Sequence, residues 1–255
     1  MLHFQFPVQW IEGNSIKTRL KLSRVRSVIC NSHFTKSYID EKFGVSSTVL
    51  YPPVDLIPVG KEKKENVILT VGRFGNDSRG SSFKKQDVLV EVFKKIFTYG
   101  IKNWRFRLVV STREEDKGKL NDLKKQLKGF PIDLLENPDN ITLRREYKKA
   151  KIYWHASGFE EDIKTFPERA EHFGISTVEA MSAAAVPVVV NAGGLVESVD
   201  NGKNGLVWNS IEECVEKTIG LIRDEIQLKT FSIHAREKAE LFKRERFCSE
   251  LNESI

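Results

Sequence analysis

Short apolar runs recur along this chain with helix-length stretches between them, and that alternation constrains the fold more than any other feature. Val67–Val71 reads VILTV and stops at Gly72. Phe106–Val110, Ile152–His155 and Pro187–Val190 are runs of the same kind, and Ile132–Leu135 and Gly205–Trp208 are shorter ones. Between the first two lies Asp87–Phe97, with Val88, Leu89, Val92, Phe93, Ile96 and Phe97 at helical spacing. A polar helix is expected near Asp116–Leu127, a short one at 143–150, another at Ser176–Ala185, and helices after Trp208. Strands apolar throughout need cover on both faces, and helices between successive strands supply it. The expected fold class is α/β, a Rossmann-like parallel sheet with helices on both faces.

The first 58 residues read differently. Val28–Asn31 is a strand candidate, and Ser32 is placed to cap a helix at Phe34–Phe43, which Gly44 ends. Thr48–Tyr51 is another short strand, and Pro52 and Pro53 stiffen a connector running to Pro58. One strand–helix–strand unit is too small to bury a core. The expected organisation is therefore 1–58 as the end of a preceding domain plus linker, 59–228 as the main sheet domain, and 229–255 as closing helices.

Composition excludes several classes. No apolar run among the 255 residues approaches the roughly 18–20 needed to span a bilayer. The opening MLHFQFPVQW lacks the basic start and apolar stretch of a secretory leader, so a cytosolic chain is expected. The net charge is +6, with lysines gathered at 61–66, 83–85 and 243–246 (Lys61, Phe83-Lys84-Lys85 and Lys243 among them). They are interspersed with glutamate and lack a nucleic-acid motif, so no nucleic-acid partner is expected. A solvated surface accounts for most of them, and attraction to an anionic membrane surface is the alternative. Cys30, Cys214 and Cys248 are far apart and read as buried thiols. His3, His33, His155, His172 and His234 show no metal-ligand spacing, and no metal is expected. Gly72, Gly75 and Gly80 do not make a dinucleotide fingerprint, and Gly202-Lys203 is followed by Asn204, so it is no phosphate-binding loop.

The stretch richest in chemistry is PERAEHFGISTVEAMSAAAVPVVVNAGGLVESV, Pro167–Val199. A turn at Phe173-Gly174 leads into a helix near Ser176, whose free amides and dipole suit a diphosphate. Glu171 precedes the turn and Glu179 lies about one helical turn inside, so two carboxylates can accept from hydroxyls at two points of an extended ligand. The rival reading is a solvated loop glutamate and an ordinary surface pair. A second candidate is Gly72-Arg73 at the end of the first long strand, with Lys84 and Lys85 at the next helix start. Ligands of such sheets sit beyond strand carboxyl ends, where Arg and Lys grip phosphate. Surface charge flanking a helix is the alternative there.

Pro167–Val199 resembles the signature of family 4 retaining glycosyltransferases, two glutamates with seven residues between them enclosing Phe-Gly-Ile, here EHFGISTVE. The EHFGI form is similar to cytosolic-face mannosyltransferases of lipid-linked oligosaccharide assembly and to microbial polysaccharide transferases. VICNSHFTKSYI and VLYPPVD resemble the end of the family's N-terminal domain and its linker, ILTVGRF with KKQDVLVEVF the start of its donor domain, and HAREKAELFKRERF its closing helices, which cross back to the N-terminal domain. The resemblance implies the C-terminal half of a two-domain GT-B fold. It implies that Arg73 and Lys84 neutralise the departing diphosphate, with Lys84 preferred over Lys85 by position relative to Asp87. It places Gly72 in the donor site as well. Glu171 and the backbone of Phe173, Gly174 and Ile175 would hold the donor sugar, Ser176 and Thr177 the phosphate, and Glu179 the ribose. The implied activity is retaining transfer of a hexose from a GDP- or UDP-sugar to a glycan or lipid-linked acceptor, without cofactor or metal, at the cytosol or its membrane face. A sugar-nucleotide epimerase and a non-catalytic module of a split enzyme are the alternatives. The signature commonly has Gly where Ala184 stands; with Ala184 inside a helix, only a local packing change is expected.

Overall fold

The computed structural model describes residues 1–13, 15–60, 62–75, 82 and 84–253; Lys61, Gly80 and Phe83, named above, lie outside the described residues. Three short parallel strands come first, β1 (Leu2–Phe4), β2 (Val28–Cys30) and β3 (Thr48–Val49), connected through helices α1 (Ile16–Leu22) and α2 (His33–Phe43). Then follow β4 (Glu65–Arg73), α3 (Gln86–Thr98), β5 (Arg105–Ser111), α4 (Lys117–Leu127), β6 (Ile132–Glu136), α5 (Asn140–Lys149) and β7 (Ala150–His155). The remainder is α6 (Ile175–Ser182), β8 (Val186–Val190), α7 (Leu195–Ser198), β9 (Leu206–Trp208), α8 (Ile211–Arg223), α9 (Glu225–Ala239) and α10 (Arg244–Glu253).

Strands β4 to β9 form one parallel sheet in the order β6-β5-β4-β7-β8-β9. The chain starts at β4, builds outward to β6, then returns to the other flank of β4 with β7. The two halves therefore diverge between β4 and β7, the switch point at which an open parallel sheet leaves a crevice beyond its carboxyl edge. Successive strand residues face opposite ways. Ile68, Phe106, Leu108, Ile152 and Trp154 join Leu89, Phe93 and Ile96 of α3 in one layer. Val67, Leu69, Val109 and Tyr153 join Tyr147 of α5 and Ala180 of α6 in the other. Phe106 is the hinge of the first layer, its ring centroid 5.5 Å from Phe93 and 5.1 Å from Trp154.

The α/β class and the six main strands stand where the apolar runs lie. Strand β1 and helices α1 and α7, which carry no strong periodic pattern, were not foreseen. The cap at Ser32 is present, its Oγ accepting from Thr35 N at 3.0 Å, and Gly44 ends α2 at φ 61°. Two expectations are corrected. Cys30 and Cys214 are buried, but Cys248 is exposed on α10. Helix α6 stops at Ser182, so Ala184 is not helical and sits in the left-handed region at φ 64°. Ala185 N donates to Ala180 O and Ala184 N to Met181 O, both at 2.9 Å. That is the paired closure in which the left-handed residue is ordinarily glycine, because a Cβ there is strained.

The N-terminal strands are tied to the main sheet unit by specific bonds. Glu197 of α7 accepts from the first two amides of α2, His33 N at Oε2 and Phe34 N at Oε1, each at 2.8 Å. Val54 N donates to Phe242 O at 2.8 Å, and Arg246 of α10 donates to Tyr51 O at 2.8 Å.

Candidate active site

Because the sheet is parallel, Arg73 at the end of β4 and His155 at the end of β7 reach the same edge, on the two sides of the switch point. Lys84 comes in from the start of α3. A Cβ on Gly72 would lie 2.8 Å from Lys84 Cγ, so the bare Cα of Gly72 gives the lysine stem room to cross the strand end. Lys84 Nζ pairs with Glu171 Oε2, and His155 Nε2 lies 3.0 Å from that same oxygen. Burial by itself would raise the Glu171 carboxyl, but the Lys84 charge and the His155 contact outweigh it and hold the group well below the usual carboxylate range. Burial pushes His155 the other way, down, keeping its ring neutral. Ser157 N donates to His155 Nδ1 at 3.2 Å, so the ring proton sits on Nε2, the atom facing Glu171.

The turn after Glu171 is built by glycines. Gly174 has φ 97°, and a Cβ there would come 2.9 Å from Leu195 Cδ2. Gly193 and Gly194 lie beneath the turn, Gly194 N donating to Glu171 O at 2.7 Å, and a Cβ on Gly194 would strike the His172 carbonyl. Gly174 is the N-cap of α6 and offers no side chain to its first amides. The start of α6 thus presents unsatisfied N–H groups and the positive end of its dipole. Ser176 Oγ accepts from Tyr153 of β7 at 2.8 Å. Thr177 is fully buried, Phe173 packs its ring 5.6 Å from Tyr51 and 5.2 Å from Phe242, and Ile175 is exposed.

Glu179 occupies a different environment. Burial raises its carboxyl, and Tyr147 of α5, donating to Oε2 at 2.8 Å, only partly offsets this. Tyr153 lies in the field of both glutamates, and burial drives its hydroxyl far up. Glu171 is therefore the firmly ionised carboxylate of the two, and Glu179 the more easily protonated one.

Of the residues singled out from sequence, Gly72, Lys84, Glu171 and Gly174 come together in contact. Glu179 and Ser176 join through Tyr147 and Tyr153 on neighbouring elements. Arg73 is exposed at the strand end, its carbonyl accepting from Gln86 Nε2 at 2.9 Å. Lys85 turns to Glu161 Oε1 at 2.5 Å, away from Glu171, and Arg169 meets the other Glu161 oxygen at 2.8 Å. Several participants carried no sequence signal: His155, Ser157, Tyr147 and Tyr153 reach the site through tertiary packing alone. Gly193-Gly194 stood inside the signature stretch and could have been read as a close backbone approach. Gln86 Oε1, His155 Nε2, His172 Nε2 and Thr177 Oγ1 are buried without a well-aligned partner. The His172 ring is 6.4 Å from Phe34 and 6.3 Å from Phe6, which lies 5.6 Å from Trp10. Among the described residues no group of three or more His, Cys, Asp and Glu could hold a metal ion, and no helix is long and apolar enough to cross a membrane.

A doubly covered parallel sheet with a basic strand end, an acidic turn and an open helix start at its switch point has the architecture of the GT-B glycosyltransferases. Residues 56–238 match the family described as Glycosyl transferases group 1, and the chain belongs to that family. It is 28% identical over 241 residues to a glycosyltransferase of Methanocaldococcus jannaschii, covering 91% of this chain and 61% of that protein. It is 24% identical to the GDP-Man:Man(3)GlcNAc(2)-PP-Dol alpha-1,2-mannosyltransferase of Xenopus laevis, covering 80% of this chain and 45% of that one. Its fold superposes on Anabaena HepE, solved in complex with UDP, with a TM-score of 0.77 at 18% identity, covering 98% of this chain and 70% of that one. The chain thus spans about half to three fifths of the length of these two curated relatives.

Proposed function

We propose that this chain is the donor-binding part of a retaining family 4 hexosyltransferase, moving mannose or glucose from a GDP- or UDP-sugar to a hydroxyl of a glycan or lipid-linked glycan. The observation that carries this reading is the meeting of Lys84, Glu171 and the uncapped start of α6 at the switch point. A nucleotide sugar has a diphosphate at its centre, a hexose on one side and a ribose on the other. Arg73, Lys84 and the α6 amides neutralise the diphosphate as it departs, with Ser176 and Thr177 at the helix start. Glu171 and the Phe173-Gly174-Ile175 backbone hold the hexose hydroxyls, and Glu179 the ribose hydroxyls. These cationic and dipolar groups do the electrostatic work, so no metal or cofactor is required.

In the transfer, the bond from the anomeric carbon to the phosphate oxygen breaks while the acceptor oxygen bonds that carbon from the same face. The acceptor proton passes to the leaving phosphate oxygen. In this reading residues 1–58 belong to the acceptor-side domain, 59–228 form the donor domain, and 229–255 cross back between them. The donor GDP-Man and the acceptor carrier PP-Dol in the name of the Xenopus relative support a GDP-sugar and a lipid-linked acceptor, and the UDP complex of HepE supports the uridine alternative. The net charge of +6 supports peripheral attraction to an anionic cytosolic membrane face.

Calorimetric titration with UDP-glucose and GDP-mannose, in buffer containing a chelator, tests the reading. Saturable binding of one of them is expected. A folded sample that binds neither at millimolar concentration overturns it.

A further inference from the structure

We propose that His155 is a positioning residue of the donor site, a fixed neutral donor that takes over Glu171 when a ligand draws Lys84 away; this rests on the donor-site reading above. Both close contacts of Glu171 fall on one oxygen. Lys84 Nζ and His155 Nε2 meet at Oε2, which leaves Oε1 for a ligand hydroxyl. With the crevice empty the lysine and the glutamate neutralise each other. A diphosphate in the crevice competes for the same ammonium group, and Lys84 cannot keep its full bond to Glu171 while serving a doubly charged ligand. The carboxylate would then be stranded in a largely buried position, at heavy cost unless another donor replaces the lysine.

His155 is built for that replacement. Its side chain is 2% exposed and sits at the rigid end of β7, its ring 6.4 Å from that of Tyr153. The Ser157 amide occupies Nδ1 and so fixes both ring orientation and tautomer. Nε2 lies 3.0 Å from Oε2 yet lacks a well-aligned hydrogen bond while Lys84 is in place. A buried N–H is rarely left so, and a small rotation of Glu171 away from the departing lysine would complete the bond. If the ring served only to fill space, there would be no reason for its one free N–H to face the carboxylate expected to hold the sugar. Because the diphosphate alone draws Lys84 away, losing this support should weaken nucleoside diphosphates as well as nucleotide sugars.

Titration of the parent chain, His155→Phe, His155→Gln and His155→Asn with UDP-glucose, GDP-mannose, UDP and GDP tests this, with melting temperatures recorded for each. His155→Phe should weaken the nucleotide sugar by about tenfold or more, as expected for a hydrogen bond to a charged group. Its affinity for the matching diphosphate should fall by a similar factor, because the diphosphate alone competes for Lys84. Gln, whose amide nitrogen sits near the position of Nε2, should restore most of the loss. Asn is too short and should not, and this pair decides the matter if the Phe variant does not fold. An unchanged affinity for the diphosphate, or a Gln variant as poor as Asn, overturns the role of His155. A parent chain that binds none of the four removes the donor site itself, and the role of His155 with it.

Discussion

Lys84 and Glu171 hold each other in place, and the stability of the pair follows pH. The folded Glu171 carboxyl lies below its ordinary value of 4.5, so its stabilising contribution is complete above that value and is lost as pH falls through the lowered one. Lys84→Met should cost about 1–3 kcal/mol near neutral pH, the penalty for leaving a mostly buried charged acceptor without its partner. The deficit should shrink in acid as Glu171 takes up a proton, and melting curves from pH 3 to 8 check both features. Glu179 behaves oppositely. Its folded value is raised above 4.5, so it holds a proton longer in the folded state, and stability falls as pH rises from 4.5 through the raised value. Glu179→Gln keeps the Tyr147 contact without the buried charge. It should melt no lower than the parent at neutral pH while binding the nucleotide about tenfold more weakly, one charged hydrogen bond's worth. Equal affinities in calorimetry would refute the ribose role. The two glutamates were legible because spacing and flanking residues are local properties of a sequence. His155 was not, since a single histidine has no period, and its meaning comes from the Ser157 amide and from an oxygen sixteen residues further along.

Among the elements, the strands were readable because continuous apolar runs have few other destinations, whereas the end of α6 was misread. MSAAAVP continues a helical pattern in composition, and alanine is the best helix former, so nothing local announces a stop at Ser182. What ends the helix is the need of β8 to start beneath it, which forces a left-handed residue at Ala184. Ala184→Gly removes the Cβ strain, should stabilise the chain by about 1 kcal/mol, and is measured by denaturant unfolding. A variant of equal or lower stability would show that the alanine methyl offsets its strain by packing. Strand β1 and helices α1 and α7 span three, seven and four residues, too short for a period to stand out.

For the molecule as a whole, the joint between the three-stranded piece and the six-stranded sheet is crossed by the Glu197 bonds to α2 and by Tyr38 donating to Ile163 O at 2.7 Å. Glu197 caps α2 from across that joint, a capping role ordinarily filled by a residue adjacent in sequence and therefore invisible to local reading. Glu197→Ala should cost about 1 kcal/mol, as lost caps do. It should also speed amide hydrogen exchange across 28–43 while leaving the β4–β7 core protected, and unchanged exchange in α2 would show that the joint is held elsewhere. The distribution of the four tryptophans lets each side of this joint be watched separately. Trp104, Trp154 and Trp208 are all but sealed within the sheet unit, while Trp10 is 72% exposed and touches, through Phe6, the ring of His172. Iodide should therefore quench a single emitter in the native protein, and a sugar nucleotide arriving beside Glu171 should dim or shield that emitter alone, so the chain carries its own optical readout of occupancy, separable from its readout of unfolding.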